Sequence, residues 1–216
     1  MKIAIDGPAG AGKSTVAKKL SEELGINYLD TGAMYRSIAY VLINRGVDPE
    51  DTEEVVRNLD SVDIEVKYID RVQHMYADGK DISSLIRTNE ISMGASNVSK
   101  IPEVRLKLIE MQQKIGREFD IVMDGRDICR YVLPDADYKF YVTASVDERT
   151  KRRFKELPEG SNVTFEELRE EIIKRDKNDM EREFMPLEKA EDAVLVDTTD
   201  MNIDEVMDFV LGVINE

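Results

Sequence analysis

The residues best suited to chemistry in this chain belong to the segment GPAGAGKS at positions 7–14. The segment matches the pattern G-x-x-x-x-G-K-[ST] at every fixed position and follows a short apolar run. Because glycine has no Cβ, Gly10 and Gly12 allow backbone N–H groups to approach an anion, and the start of the following helix favours negative charge. Lys13 supplies a cation for the β- and γ-phosphates, and the Ser14 hydroxyl can bind Mg²⁺. A glycine-rich turn without a ligand needs neither side chain, so the segment predicts a binding site for a nucleoside triphosphate.

A second group of acidic and basic residues follows an apolar run farther along the chain. Residues 121–123 are Ile-Val-Met, and Asp124 comes next. In a phosphate-loop protein such a strand-end acid completes the Mg²⁺ shell, although it can also cap a turn or a helix. Arg126 and Asp127 follow almost at once. Charges so close together cost free energy unless they have ligands, so we expect these two side chains to bind substrate.

A third group lies on a helix predicted to begin near Thr164. Residues at steps of four and three share one face of this helix: Leu168, Ile172, Arg175, Asp179 and Arg182. The face is first apolar and then charged, which predicts that the helix leaves the core and borders a cleft. There the two arginines could bind phosphate, and the aspartate could bind a hydroxyl or an amine. The alternative is an exposed ladder of i,i+4 ion pairs.

Two further segments could contribute to anion binding. Thr31 is placed to cap the helix after the second strand, and Arg36 would lie about one turn inside that helix. Residues 149–164 contain a basic helix end, with Arg152 and Arg153, that leads into a polar loop containing glycine. Such a segment is typical of a mobile lid that closes over phosphates. An ordinary solvated helix face with a surface loop is the alternative.

Short apolar runs separated by helix-period segments must position these residues. The runs lie at 3–5, 28–29, 121–123, 139–142 and 193–196. Their alternation with helical patterns is typical of β-α units around a parallel sheet. The first helix is predicted over 13–24, with Gly25 as its stop, and another long helix begins near Pro102. Two capping-box pairs begin further helices, Ser145 with Glu148 and Thr164 with Glu167.

The segment 62–86 interrupts this alternation. Strand-like residues at 64–68 and 74–77 flank a polar turn, which predicts a small antiparallel insertion outside the main sheet. His74 lies in this insertion with no acid or second histidine in a ligand-like arrangement, so we expect an ordinary strand residue.

Composition limits the function further. The 216 residues are 42% hydrophobic and 35% charged, and no apolar run approaches the roughly 18 residues of a membrane helix. The chain begins with a strand pattern rather than a signal peptide. Cys129 is the only cysteine, which excludes an internal disulfide and favours the reducing cytoplasm. The formal charge of −15 disfavours a nucleic-acid footprint. Convergent arginines can still create a local positive cleft, because charges are screened over about 8 Å.

In this order, the motifs resemble those of bacterial cytidylate kinases over nearly the whole chain. The matching segments are IAIDGPAGAGKST, YLDTGAMYRSIAY, ASNVSKIPEVR, MDGRDI, VLPDADYKFYVTAS, ERTKRRF, RDKNDMER and DTTDMNIDEV. The resemblance implies an α/β fold of the three-layer P-loop NTPase type, with a five-stranded parallel sheet flanked by helices. It also implies one kinase domain over 1–216, with a monophosphate-binding region at about 32–118 and a lid at about 149–165. The insertion near 62–86 sets this family apart from adenylate kinases.

The resemblance implies a role for each residue at a matching position. The residues implied for the phosphates of ATP are Gly7, Gly10, Ala11, Gly12, Lys13, Ser14, Thr15 and Arg152, and those implied for Mg²⁺ are Ser14 and Asp124. The residues implied for the acceptor are Arg36, Arg126 and Arg182 at its phosphate, Ser96, Arg105 and Asp127 at cytosine, and Arg175 and Asp179 at the sugar, with Thr31 nearby. The implied catalytic set is Lys13, Arg126, Arg149, Arg153 and Arg182.

The implied reaction is transfer of the γ-phosphoryl group of ATP to CMP or dCMP. An Asp127 carboxylate would accept a hydrogen bond from the cytosine N4 amino group, whereas uracil presents an acceptor there. A buried site with two facing acceptors can reject the wrong base by ~10⁴-fold. We expect nucleotides as the partners, no nucleic acid or membrane, and a monomer.

Two other functions remain open. One is a P-loop kinase with UMP or AMP as acceptor. The other is a GTP-dependent switch, which would need an Asn-Lys-x-Asp signature; residues 176–179 read Asp-Lys-Asn-Asp and lie in a predicted helix.

One position departs from the family pattern, which usually continues Gly-Arg-Asp-Ile with Gly-Thr. Here Cys129 and Arg130 stand in those places. Either the loop adopts a conformation that does not need glycine, or the site is tuned differently.

Overall fold

The computed structural model describes residues 1–158 and 161–215. The strands are β1 (Lys2–Asp6), β2 (Asn27–Asp30), β3 (Ile64–Ile69), β4 (Val72–Ala77), β5 (Lys80–Asp81), β6 (Ile121–Gly125), β7 (Tyr138–Thr143) and β8 (Val194–Asp197). The helices are α1 (Lys13–Leu24), α2 (Thr31–Asn44), α3 (Thr52–Leu59), α4 (Asn89–Val98), α5 (Pro102–Glu118), α6 (Val146–Lys155), α7 (Phe165–Glu181) and α8 (Ile203–Asn215). A π-helical turn covers Ile128–Val132.

Within the described residues, a parallel sheet of five strands follows the order β2-β6-β1-β7-β8. In its register, Ile5 of β1 lies opposite Phe140 of β7, and Phe140 lies opposite Val194 of β8. The central strands are apolar and buried along most of their length, as expected when helices cover both faces of a parallel sheet. The predicted five-stranded parallel sheet flanked by helices is confirmed.

The first compact unit consists of residues 1–25 and 122–216, as far as these are described. It contains β1, α1 and the elements from β7 onward, so it holds the segment 7–14 together with α6 and α7. Helix α1 begins after Gly12, whose φ is 91°, and stops at Gly25, whose φ is 65°. Both residues adopt the left-handed conformation that favours glycine. The predicted bounds of this helix are confirmed.

The second compact unit consists of residues 26–121. Helices α2 and α4 pack closely in it, because Gly94 has no side chain: a Cβ there would lie 2.9 Å from Ile43 Cδ1. The strands β3, β4 and β5 form an antiparallel sheet in that order. A tight turn joins β3 to β4, and both of its central residues, Asp70 and Arg71, have positive φ.

Two local predictions need correction. Asp30, not Thr31, caps α2: its side chain accepts a hydrogen bond from Ala33 N, and Thr31 is the first helical residue. Helix α7 ends at Glu181, so Arg182 follows the helix in an extended conformation instead of continuing its face. His74 is a residue of β4, as predicted, and its Nδ1 lies 2.8 Å from Asp81 Oδ2.

Capping boxes were predicted at the starts of α6 and α7, and the structure shows a complete one at α7 and one of the two hydrogen bonds at α6. Thr164 and Glu167 form a complete capping box at the start of α7. At α6, Ser145 accepts a hydrogen bond from Glu148 N. The loop that the sequence predicts as part of a lid includes Glu159 and Gly160, which lie outside the described residues. Across positions 1–158 and 161–215, no helix is long and apolar enough to cross a membrane.

Candidate active site

The loop at 7–14 connects β1 to α1 and depends on glycine. Gly7, Gly10 and Gly12 have φ values of 146°, 76° and 91°. A Cβ on Gly7 would lie 1.9 Å from the carbonyl oxygen of Val142 in β7, which no side chain could tolerate. The glycines therefore allow the loop to pass against the end of the sheet with its backbone open to an anion.

Lys13 is buried in the first turn of α1. Its Nζ donates a hydrogen bond to the carbonyl oxygen of Pro8, 2.8 Å away, so the ammonium group lies back over the loop. Burial, together with the nearby Arg126, lowers the pKa of Lys13 to about 7. A bound polyphosphate would favour the charged form of this lysine, as the phosphate-loop pattern requires.

Ser14 and Asp124 meet at the amino end of α1. The Ser14 hydroxyl donates a hydrogen bond to Asp124 Oδ2 over 2.9 Å, and the carboxylate is buried at the end of β6. Among the described residues, no group of three or more His, Cys, Asp or Glu side chains could hold a metal ion. One hydroxyl and one carboxylate nevertheless fit Mg²⁺, which keeps several waters and takes further oxygens from phosphates.

Arg149 supports the backbone of the phosphate loop. In α6 it is buried, and its Nη1 donates to Ala9 O over 3.0 Å while its Nε donates to Ala144 O over 2.9 Å. Its Nη2 lies 2.6 Å from Asp176 Oδ2 of α7. The guanidinium therefore contacts protein groups through all three of its nitrogens. Its catalytic role stays a prediction.

Arg152 and Arg153 lie next to the same loop, one turn farther along α6. Arg152 donates to Thr198 Oγ1 and Thr198 O over 2.9 and 2.7 Å. Its Nη1 would be 3.7 Å from a Cβ on Gly12, and Arg153 Cδ would be 3.7 Å from a Cβ on Gly10. Both arginines are therefore placed where a charge on the outer phosphates could interact with them.

Arg126, Arg175, Asp179 and Arg182 form a charged cluster at the end of α7. Arg126 Nε donates to Asp179 Oδ2 over 2.9 Å, and Arg182 Nη1 lies 3.9 Å from Asp179 Oδ1. Burial works against the charged carboxylate, yet Arg126 and Arg175 hold the pKa of Asp179 below its ordinary value. The cluster replaces the exposed ion-pair alternative, because Asp179 pairs with a residue outside its own helix.

The charge of Arg175 is only partly compensated by neighbouring groups. This arginine has no hydrogen-bond partner among residues 1–158 and 161–215, and burial together with Arg126 lowers its pKa to about 10. With three arginines around one aspartate, the cluster has an excess of positive charge. An anionic ligand would relieve this excess, so the cluster is a candidate site for a phosphate or for oxygens beside it.

Asp127 is buried two residues after the end of β6. The residue that fixes the backbone after Asp127 was not predicted from the sequence. Asp6, at the end of β1, accepts hydrogen bonds from Ile128 N and Cys129 N over 2.9 and 2.8 Å. Burial and the nearby Asp127 raise the pKa of Asp6 to about 6. The sequence feature that could have identified Asp6 is the position of its carboxylate between an apolar strand and the phosphate loop.

The unusual pair Cys129-Arg130 is accommodated without a glycine conformation. Among the described residues, Asp70, Arg71, Asp78 and Met185 are the non-glycine positions with positive φ, so Cys129 does not need that conformation. Its thiol is buried and lies 3.6 Å from Ala4 O and 3.8 Å from Phe140 O. Arg130 pairs with Glu188 at the surface. The loop therefore adopts a conformation that does not need glycine, which was the first of the two alternatives.

The second unit contains the other predicted acceptor residues. Arg36 Nη2 lies 2.7 Å from Asp30 Oδ2, and its buried Nε has no hydrogen-bond partner in the described part of the chain. Arg105 is almost completely buried, donates to Ser99 O over 3.1 Å and lies 6.0 Å from the ring centroid of Tyr35.

Thr31 and Ser96 complete the predicted set of this unit. Thr31 is buried at the start of α2, and Ser96 lies half-buried on α4. The predicted residues are thus divided between the two units. The first holds the phosphate loop, Asp124, the α6 arginines, Asp127 and the α7 cluster; the second holds Thr31, Arg36, Ser96 and Arg105.

Comparison with known proteins identifies the family. The family model described as cytidylate kinase matches residues 3–216. The cytidylate kinases of Caldicellulosiruptor bescii and Clostridioides difficile are each 49% identical, over 98% and 99% of this chain and 94% and 97% of their own lengths. That of Bacillus subtilis is 46% identical over the whole chain and 97% of its own length.

Solved structures show the same fold at much lower identity. The shikimate kinase of Bacteroides thetaiotaomicron has a TM-score of 0.50 at 12% identity, covering 100% of this chain and 99% of its own. A protein from Eubacterium ventriosum has a TM-score of 0.54 at 17% identity, with the same coverage. These two similarities support the fold alone. The sequence similarity goes further: the chain belongs to the cytidylate kinase family and is a nucleoside monophosphate kinase, a phosphotransferase.

Proposed function

We propose that the chain transfers the γ-phosphoryl group of ATP to CMP or dCMP and releases ADP with CDP or dCDP. The observation that carries this proposal is that one compact unit contains both a phosphate loop and a cluster of arginines. A glycine-dependent phosphate loop with a buried Lys13 shares that unit with the Arg126, Arg175, Asp179 and Arg182 cluster. A donor site and an excess of positive charge for a second anion are the parts that phosphoryl transfer between two nucleotides needs.

In the proposed reaction, an oxygen of the acceptor phosphate attacks the γ-phosphorus of ATP. A new P–O bond forms to CMP, the bond between the γ-phosphorus and the bridging oxygen breaks, and its electron pair leaves with ADP. No side chain forms a covalent bond. Lys13, Arg152 and Arg153 would neutralise charge on the donor, and Arg36, Arg126 and Arg182 would hold the acceptor phosphate in line. A lid at about 149–165 would exclude water.

Ser14 and Asp124 would hold Mg²⁺ beside the donor phosphates. When bound, this ion supplies positive charge that neutralises the phosphate oxygens and orients them. The 2.9 Å hydrogen bond between the two side chains supports this assignment, because it brings both oxygens to one place.

Base selection is assigned to Asp127, Ser96 and Arg105. The Asp127 carboxylate would accept a hydrogen bond from the cytosine amino group and would face an acceptor in uracil. In support of this role, the segment that carries Asp127 is held in a defined conformation by Asp6. Arg175 and Asp179 would bind the sugar, with Thr31 nearby.

The substitution Asp127→Ala tests base reading. We expect kcat/KM for CMP to fall by at least about 100-fold, because the buried site loses its acceptor for the amino group, while the Kd for ATP stays within about twofold. Steady-state kinetics and calorimetry measure the two effects. Asp135→Ala, at an exposed position of the same unit, is the control. Equal losses for both nucleotides would rule out the base-reading role.

Two assays separate the proposal from its alternatives. Initial rates with CMP, dCMP, UMP and AMP identify the acceptor, and a UMP or AMP preference would replace the proposed function. Calorimetry with GTP tests the switch, which would bind guanine nucleotide in preference to ATP.

The proposal also covers compartment and assembly. We infer a monomer that works in the cytoplasm, where a single buried thiol and a lack of disulfides are typical. Light scattering after size exclusion measures the assembly state, and a dimer peak at micromolar concentration would contradict it.

A further inference from the structure

The side chain of Gln73 binds the backbone of Asp30 in both directions. Asp30 N donates to Gln73 Oε1 over 2.7 Å, and Gln73 Nε2 donates to Asp30 O over 3.3 Å. The two residues are 43 positions apart, and both belong to the second unit. An amide side chain on the antiparallel sheet thus satisfies both polar backbone groups of the residue that caps α2.

The side chain of Asp30 continues this chain of contacts to Arg36. Asp30 Oδ1 accepts a hydrogen bond from Ala33 N over 2.9 Å and caps α2, while Oδ2 lies 2.7 Å from Arg36 Nη2. Because one carboxylate makes both contacts, a rotation of the Asp30 backbone would break one of them. The orientation of Arg36 therefore depends on the orientation of the Asp30 backbone.

The sheet holds Gln73 itself in place. In the antiparallel register Gln73 lies opposite Tyr68 of β3, and its Nε2 lies 3.1 Å from Met75 Sδ on the same face of β4. His74 is the next residue along β4, so its side chain lies on the opposite face, where it pairs with Asp81. Only one of these two neighbouring polar side chains contacts Asp30.

We propose that Gln73 is a positioning residue for the acceptor: it holds the Asp30 backbone so that Asp30 keeps Arg36 directed at the acceptor phosphate. This inference rests on the proposed role of Arg36 in phosphate binding. The Arg36 guanidinium keeps hydrogen-bonding capacity beyond its pair with Asp30, because its Nε has no hydrogen-bond partner in the described part of the chain. The antiparallel insertion then contributes to acceptor binding through Gln73, without touching the nucleotide at this position.

The substitution Gln73→Met tests the proposal, because Met matches the length of Gln and can pack beside Met75 but has no amide. We expect the KM for CMP to rise about three- to tenfold, from the loss of two hydrogen bonds, with kcat within about twofold and the KM for ATP unchanged. His74→Gln is the matched control: it removes a polar contact from the other face of the same strand and is expected to leave both KM values unchanged. Thermal unfolding of each variant verifies that it is folded.

A double-mutant cycle with Arg36→Met distinguishes positioning from a general structural role. If Gln73 acts through Arg36, Gln73→Met raises the KM for CMP in the wild-type background and adds less than about twofold when Arg36 is already Met. The inference is overturned if Gln73→Met leaves that KM unchanged while Arg36→Met raises it, or if the two increases multiply. If Arg36→Met itself has no effect on the KM for CMP, the proposed phosphate role of Arg36 fails, and the inference fails with it.

Discussion

Asp6 shows how a single buried carboxyl can be costly and still be useful. It accepts hydrogen bonds from the amides of Ile128 and Cys129, and the nearby Asp127 contributes to its raised pKa. It also lies close enough to Lys13, Arg126 and Tyr141 to influence their pKa values. Its position explains why the segment after Asp127 has a defined conformation without the family's usual glycine. The same burial makes its ionised form unfavourable.

This cost has a definite pH dependence. The pKa of Asp6 is about 6 in the folded chain, against an ordinary value of 3.8. The ionised carboxylate therefore costs stability above pH 6, and the cost is relieved as the pH falls through 6 toward 3.8. We expect the free energy of unfolding of the wild type, minus that of Asp6→Asn, to increase from about pH 7.5 to about pH 5.

Urea unfolding of both proteins at the two pH values measures this difference. The facing groups listed above are present in both proteins, and Asp6 raises the pKa of Lys13, so the comparison reports the Asp6 carboxyl together with its coupling to that lysine. A difference that stays constant or decreases toward pH 5 would show that the Asp6 carboxyl is not raised in pKa.

At the scale of the element, position 32 in the first turn of α2 leaves little space for a side chain. A Cβ on Gly32 would lie 3.0 Å from Asp30 Oδ1 and 3.1 Å from Arg36 Nη1. Both side chains would have to shift by a few tenths of an ångström, and their ion pair is the contact proposed to orient Arg36. We therefore expect Gly32→Ala to raise the KM for CMP about tenfold or more, with little change in the KM for ATP.

Steady-state kinetics with each nucleotide varied in turn check this expectation. Gly212→Ala in α8 is the matched control, because a Cβ there meets nothing within 4 Å. That change should leave both KM values alone and add about 0.5–1 kcal/mol of stability. An unchanged KM for CMP in Gly32→Ala would mean that the Asp30–Arg36 pair is not needed for the acceptor.

The elements were largely predictable because their signals are local. Helix α1 could be bounded from Lys13 and Gly25, and the antiparallel strands followed from the alternation around His74. The end of α7 could not be predicted, because the residue spacing continues to Arg182 while its backbone does not. A capping residue was misplaced by one position, since Asp30 and Thr31 are both good caps.

For the candidate site, the sequence predicted a set of residues but not the contacts between them. Phosphate-loop spacing identified Ser14, and an apolar strand with a terminal acid identified Asp124, yet neither pattern could show their 2.9 Å hydrogen bond. Arg149 was assigned to a lid because basic helix ends often belong there. Its burial against Ala9 depends on a contact 140 residues apart, which has no sequence signal.

At the scale of the whole molecule, the net charge of −15 disfavours binding of a nucleic acid but still allows binding of a small anionic substrate. The arginines of the α7 cluster act over about one Debye length of roughly 8 Å, so they can hold a nucleotide inside an acidic protein. A long phosphate backbone would instead meet the acidic surface. We expect no binding of a labelled single-stranded 20-mer at micromolar protein in about 0.1 M salt.

Fluorescence anisotropy with the labelled oligonucleotide measures this. A labelled ATP analogue in the same buffer is the positive control, and it should bind saturably and be displaced by ATP. Saturable oligonucleotide binding that ATP does not displace would reveal a separate nucleic-acid surface.

The buried thiol of Cys129 has one more consequence. It is the only cysteine of the chain and lies within 4 Å of the carbonyl oxygens of Ala4 and Phe140, on two neighbouring strands of the parallel sheet. A thiol reagent can reach it only when that part of the sheet opens. The rate at which a thiol reagent modifies Cys129 therefore reports how often this part of the sheet opens. That rate should decrease when a bound ligand stabilises the closed state.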